Sequence, residues 1–404
     1  MVSRNLAAVY AAAFLRSLGV GLTGVVLGVY LSRAGFSAGA LGLVITAGLA
    51  GAAAGTAAIS LVADRFGRRR TLVVLGILGA LGGLGLALSR SLIGVVTLAF
   101  FGMVNGMGTD RGPSFALEQA VIPGAVPADR RTWGLSWHGL TMDLGHALGA
   151  LAAGLPPLLG RWLGVGLMPS YRLTFGLYTA ANLLSAALYL FVTPEAEPRR
   201  AAGRAVGQAV SPQSRSVVYR LAALSGIDSL GGGFLSDALL AYWFFRRFGI
   251  PETRLALLFF AGHLLNSASY LLAAWLARRI GLVNTMVFTH IPSSLFLMAV
   301  PLAPTPAWAM VFLLLREALV EMDVPARQSY IMGVVAPHER TFASGVSNLT
   351  RNIARAASPG AAGYLMQSLA LATPLYLGGG LKIVYDLLVY RGFRHLKPPE
   401  EQAS

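Results

Sequence analysis

Twelve times along this chain a mostly apolar run recurs that is long enough to cross a bilayer as one helix, for which roughly twenty residues are needed. The runs cover Leu6–Leu31, Ala40–Val62, Leu72–Leu88, Leu92–Leu117, Trp133–Leu158 and Arg172–Val192, then Val217–Phe245, Thr253–Ala277, Leu282–Pro301, Ala307–Met332, Phe342–Met366 and Thr373–Tyr390. Inside lipid every backbone N–H and C=O needs a partner within the protein, so the predicted fold class is an all-α integral membrane protein of twelve transmembrane helices, six plus six. Thr193 to Ser216 is rich in Pro, Ala, Gly and Arg and poor in large apolar side chains. It predicts a linker at 194–216, between a six-helix bundle at 1–193 and another at 217–404.

Charge supports a membrane chain and narrows its function. Charged residues make up only 12% of the sequence, about half the share of a soluble domain. The net charge of +15 does not point to nucleic acid, because the basic residues are spread through short loops rather than gathered in a run. With the N-terminus inside, most loop Lys and Arg fall on the cytoplasmic side, so both termini are predicted cytoplasmic. The first run is long enough to span and is followed at once by another, which reads as a membrane helix rather than a cleavable signal. The absence of cysteine excludes disulfides, thiolate metal sites and cysteine nucleophiles.

The most informative polar stretch is Ser60 to Thr71, which sets Asp64, Arg65, Arg68, Arg69 and Arg70 around Gly67 between two apolar runs. It predicts a tight cytoplasmic loop. It also resembles the signature of the major facilitator superfamily, a Gly-x-x-x-Asp-Arg-x-Gly-Arg-Arg pattern joining the second and third helices. Asp64, Arg65, Gly67, Arg68 and Arg69 match, and Ser60 stands in the first glycine's place. The resemblance implies two pseudo-symmetric six-helix bundles that rock to move a small solute by alternating access. Asp64, Arg65, Gly67 and Arg68 would then latch the cytoplasmic side, acting with Glu118, Asp323 and Arg327 at a cytoplasmic gate.

The two halves repeat one another. Arg16-Ser-Leu-Gly-Val-Gly21 and Tyr30 are echoed by Asp228-Ser-Leu-Gly-Gly-Gly233 and Tyr242; Arg131-Thr132 by Arg340-Thr341; and the signature loop by Arg278-Arg279-Ile-Gly281. The order is the same and the offset nearly constant, as a duplicated unit requires. In the fifth run Ser136, Gly145, Gly149, Ala150, Ala153 and Gly154 resemble the superfamily's antiporter motif, with Ala150 where proline is usual. Small side chains of this kind let helix backbones approach and slide. In the fourth run Met103 precedes Asn105-Gly106 where many exporters of the family carry an arginine ahead of Gln-Gly, a departure from the usual drug/proton exchange pattern.

Ionisable groups inside spans are costly unless they face a partner or a cavity. Two clusters sit at repeat-related places beside a proline: Asp110, Arg111, Pro113 and Glu118, and Glu321, Asp323, Pro325 and Arg327. Each proline is expected to bend its span, and the charges to form bridges that close an inner gate, with direct contact of Asp110, Arg111 and Glu321 to substrate or coupling ion as the alternative. In the eleventh run Asn348, Arg351, Asn352 and Arg355 follow i, i+3, i+4, i+7 spacing and share one face. The fifth run puts Asp143 and His146 on the matching face. Arg16, Arg351 and Arg355 are candidates to hold an anionic group, with fixed pairing to Asp143, Asp228 and the tenth-run glutamates as the competing reading. For proton coupling the first candidates are Asp228 and Glu317, with His263 and His290 behind them.

These residues predict a secondary transporter, expected to run as proton-coupled efflux by antiport in a cell inner membrane. Proton-coupled import of an organic anion and divalent-metal transport are the alternatives. No Walker loop, Gly-x-Ser-x-Gly elbow or His-Glu-x-x-His motif is present, so neither a primary pump nor an enzyme is predicted. No cofactor and no bound metal are expected. The expected partners are a small solute, protons and the lipid bilayer, with the chain a monomer.

Overall fold

The computed structural model describes residues 4–127, 130–193, 212–334 and 340–394, and these contain α-helices and no strand. The first eight helices are α1 (Arg4–Arg33), α2 (Ala38–Phe66), α3 (Arg68–Leu88), α4 (Leu92–Gly102), α5 (Pro113–Ala125), α6 (Arg131–Ala152), α7 (Leu155–Leu163) and α8 (Leu167–Tyr189). After them come α9 (Pro212–Gly233), α10 (Asp237–Phe248), α11 (Glu252–Ile280), α12 (Leu282–Ala299), α13 (Pro306–Val320), α14 (Asp323–Val334), α15 (Arg340–Ser368) and α16 (Thr373–Phe393). Every predicted span is present, and sixteen helices arise from twelve spans because four spans are interrupted. The breaks fall between α4 and α5, α6 and α7, α9 and α10, and α13 and α14. Residues 194–211, most of the predicted linker, lie outside the described residues.

The signature stretch is more helical than a loop. α2 ends at Phe66 and α3 begins at Arg68, so Gly67 alone makes the turn, at φ 97° and ψ 133°. Gly281 does the same between α11 and α12, at φ 86° and ψ 164°. Both lie where a Cβ is strained, which is why each break falls on glycine. The Gly281 echo seen in the sequence is therefore an echo of backbone geometry.

Packing divides the chain into two compact units, Met1–Ala202 with Ser236–Phe260, and Gly203–Leu235 with Ala261–Ser404. In the first, α1 packs against α6 and α8, and α3 against α8 and α4. In the second, α9 packs against α15 and α16, and α12 against α16 and α13, which is the same pairing in the repeat-related helices. Glycines set the closest approaches. A Cβ on Gly149 would overlap the carbonyl oxygen of Leu18, and one on Gly21 would overlap that of His146, so α1 and α6 touch backbone to backbone. Gly233 meets Ser358 and the Arg355 carbonyl at the repeat-related crossing. The first unit's core gathers Leu6, Val9, Leu72, Leu117, Val121 and Tyr189, and the second's Leu221, Met286, Ala326, Tyr330, Tyr385 and Phe393.

Candidate functional site

In the first unit the charges converge on Arg16, in the middle of α1. Its guanidinium is paired with Asp110 and, at 2.5 Å, with Oε2 of Glu118. Glu118 is wholly buried and its other oxygen accepts from the Tyr189 hydroxyl of α8. His138 of α6 brings Nε2 to 3.0 Å from Glu118 Oε2, and its Nδ1 lies 3.3 Å from the side-chain nitrogen of Gln119. One basic side chain, two carboxylates, an imidazole and a phenol thus tie α1, α5, α6 and α8 together. Removing one member would strand a buried charge.

This cluster is reached through the break in the fourth span. Pro113 does not bend a continuous helix as expected. It opens a new one, in the first turn of α5, where its missing N–H is of no consequence. Between α4 and α5 the chain runs irregularly, with Met103 left-handed at φ 51° and Gly108 at φ 77°. Backbone groups there are bonded by side chains and neighbouring backbone. Thr23 donates to the Asn105 carbonyl at 2.8 Å, Asn105 to that of Thr109 at 2.7 Å, and the Ala238 N–H to that of Gly106 at 3.1 Å. The Asp110 N–H donates to Nε2 of His146 at 3.2 Å. Irregular backbone at membrane depth is tolerated only where protein satisfies it in this way. Pro325 likewise sits in the first turn of α14, just past the break at Glu321–Met322.

The second unit holds a longer chain of buried charge. Asp228 of α9 accepts from Lys382 Nζ at 2.7 Å and from Arg327 at 3.1 Å, and Arg327 is also paired with Asp323 at 2.8 Å. Lys382 lies 3.2 Å from Nε2 of His290, whose Nδ1 is 2.9 Å from Asp386 Oδ1. An ammonium has donors only, so with Lys382 charged His290 must accept at Nε2 and donate from Nδ1 to Asp386. These contacts hold both ring nitrogens of a histidine with 1% exposure. Arg16 and Asp228 occupy repeat-related positions with opposite charge, and each is the hub of a cluster in its own unit.

The remaining candidates fall elsewhere. Asp143 is 43% exposed, with Oδ1 at 4.0 Å from Nδ1 of His146, while the acids bound to Arg16 are Asp110 and Glu118. Arg111 is exposed at the break. Glu317 is paired with its neighbour Arg316 and accepts from Asn266 of α11 at 2.9 Å; Glu321 accepts from Tyr270 at 2.9 Å. Arg351 and Arg355 are half-buried on α15, beside exposed Asn348 and Asn352. Arg68 donates to the carbonyl of Ala120 on α5 at 2.8 Å, which ties the signature turn to the helix bearing Glu118. The side chains of Asp64 and Arg65 lie outside those described. Lys382 and Asp386 lie inside the predicted span Thr373–Tyr390, and no role for them was drawn from the sequence. Their spacing of four residues on one helix face, in a chain with two lysines, is the signal that marks them. A third cluster, Glu252 with Arg33 at 2.7 Å and the Tyr171 hydroxyl, has no such local signal, because its members come from three distant spans.

Duplicated bundles of apolar helices, broken at buried ion clusters and tied by glycine crossings, make a polytopic solute carrier. The profile described as Major Facilitator Superfamily matches residues 9–359, with a further match over 222–404. The chain belongs to that superfamily. Among curated proteins, the uncharacterized membrane protein YJR124C of Saccharomyces cerevisiae is 28% identical over 96% of this chain and 93% of its own length. A variant of the nucleoside transporter NupG superposes with a TM-score of 0.76 at 13% identity, covering 96% of this chain and 99% of that one. The inward-open xylose transporter XylE from E. coli gives 0.71 at 15% identity over 96% of both. These two structures show a common fold. The protein is a multi-pass membrane protein and a secondary transporter.

Proposed function

We propose that the protein exports a small organic solute by alternating access in exchange for protons, and that the proton acts at the Asp228–Lys382–His290–Asp386 chain. The observation that supports this is the bonding of His290, which joins an ammonium on one ring nitrogen to a carboxylate on the other. A proton arriving at Nε2 turns that acceptor into a donor, so the bond to Lys382 breaks. The new imidazolium then competes for Asp228, whose Oδ1 is 3.7 Å away. The cross-links among α9, α12 and α16 change together, which is what coupling requires. Among the described residues, Asp323, Arg327 and Arg351 are further charged groups near Asp228, and Tyr385 lies edge-on to the imidazole.

Export rather than uptake is supported by Gly145 and Gly149, the antiporter-like glycines, which lie against the α1 backbone where sliding is least obstructed. The cytoplasmic gate is proposed at Asp64, Arg65, Gly67 and Arg68, with Glu118, Asp323 and Arg327 reporting the state of each unit to it. The setting is a cell inner membrane with both termini cytoplasmic. The test is solute-linked proton movement in proteoliposomes of wild type and His290→Gln. The variant should lose proton movement while keeping exchange of labelled for unlabelled solute. Proton movement at the wild-type rate in His290→Gln would remove the histidine from the mechanism.

A further inference from the structure

Among the described residues, cations within the spans differ in how they are paired. Arg16, Arg316, Arg327 and Lys382 each hold a carboxylate oxygen in an ion pair. Arg351 holds none among the described residues. Asp228 and Asp323 are acids near enough to act on it, and both are already bonded, the first to Lys382 and Arg327 and the second to Arg327. The same neighbourhood contains two further cations, Arg327 and Arg355. Arg355 stands four residues on, and like charges at that spacing repel along a helix.

A half-buried guanidinium on a membrane helix, crowded by cations and without a carboxylate, lacks the compensation that the other four have. The two exposed asparagines flanking it, Asn348 and Asn352, add neutral donors on the same face without adding negative charge. The apolar residues Leu349 and Ile353, 63% and 62% exposed, mark a lipid-suited side of α15 next to this polar one. We infer that Arg351 is the anion-binding element of the transported solute's site, and that the solute carries a carboxylate or phosphate group. Arg351 meets that group with its planar fork of donors, a geometry an ammonium lacks. The inference rests on the reading of the chain as a solute carrier and names the class of its cargo.

The test uses the purified full chain with four probes of matched size, hexyl phosphate, hexanoate, hexanol and hexylamine, and reads apparent affinity from the rise in melting temperature with concentration. Hexyl phosphate and hexanoate should stabilise the wild type, and the neutral and cationic probes should not. Arg351→Gln should weaken the anions by about tenfold or more, the scale of one lost charged hydrogen bond, with Arg351→Lys in between. Arg90→Gln, an exposed loop arginine, should bind them as wild type does. The wild-type ranking needs no variant, so a poorly folding Arg351→Gln protein leaves the idea open to refutation. Equal stabilisation by hexanol, or full hexyl phosphate affinity in Arg351→Gln, would overturn it. Arg351-dependent anion binding without proton movement sinks the coupling reading alone, and proton movement driven only by cationic or neutral solutes sinks the anion site alone.

Discussion

At the scale of single residues, Arg16, Arg327 and Lys382 each hold a buried carboxylate. Glu118 serves three donors at once, so Glu118→Gln should be costly out of proportion to its size. Breaking a buried pair by removing one partner typically costs roughly 3–5 kcal/mol, because the other charge is left in a dry interior. The melting temperature of Glu118→Gln in detergent should fall by several degrees. An unchanged melting temperature in the single variant would mean that Asp110 alone compensates Arg16. Glu252→Gln should have a milder effect, since its partner Arg33 is 31% exposed and water can replace the carboxylate.

Helices and turns carry the duplication. Gly67→Ala and Gly281→Ala should each destabilise by about 1–2 kcal/mol, the cost of placing a Cβ at positive φ, and by similar amounts in the two units. Unfolding measured by denaturant or heat would check this, and a silent Gly281→Ala would contradict the shared geometry. Gly149→Ala should cost about 1–3 kcal/mol and slow transport, because α6 must move away from the Leu18 carbonyl. Both glycine turns were legible in the sequence, since the flanking apolar runs left them one place to fall. The breaks between α4 and α5 and between α13 and α14 were legible only as prolines at cluster edges. What makes the first one an interruption rather than a bend is bonding from Thr23, His146 and Ala238, residues far along the chain that hydropathy cannot register.

For the whole molecule, span count, twofold repeat and superfamily were readable because hydrophobic length and a loop signature are local properties. Pair identities were not. Asp228 stood out as the counterpart of Arg16, yet it bonds to Lys382, 154 residues away, and Arg16 bonds to Glu118, 102 residues away. The proposed topology predicts that a C-terminal tag is cleaved by protease only in inside-out vesicles; cleavage in right-side-out vesicles would reverse it. Asp64→Asn should fold normally and transport slowly, and an unaltered rate in reconstituted vesicles would end the latch role.

Drive by an ion gradient is tested most directly by trapping a pH dye inside proteoliposomes of the wild-type protein and adding anionic, neutral and cationic solutes outside in turn. A pH change is expected on adding an anionic solute, lost in His290→Gln and weakened in Arg351→Gln. Solute movement with no pH change under any of these conditions would contradict it.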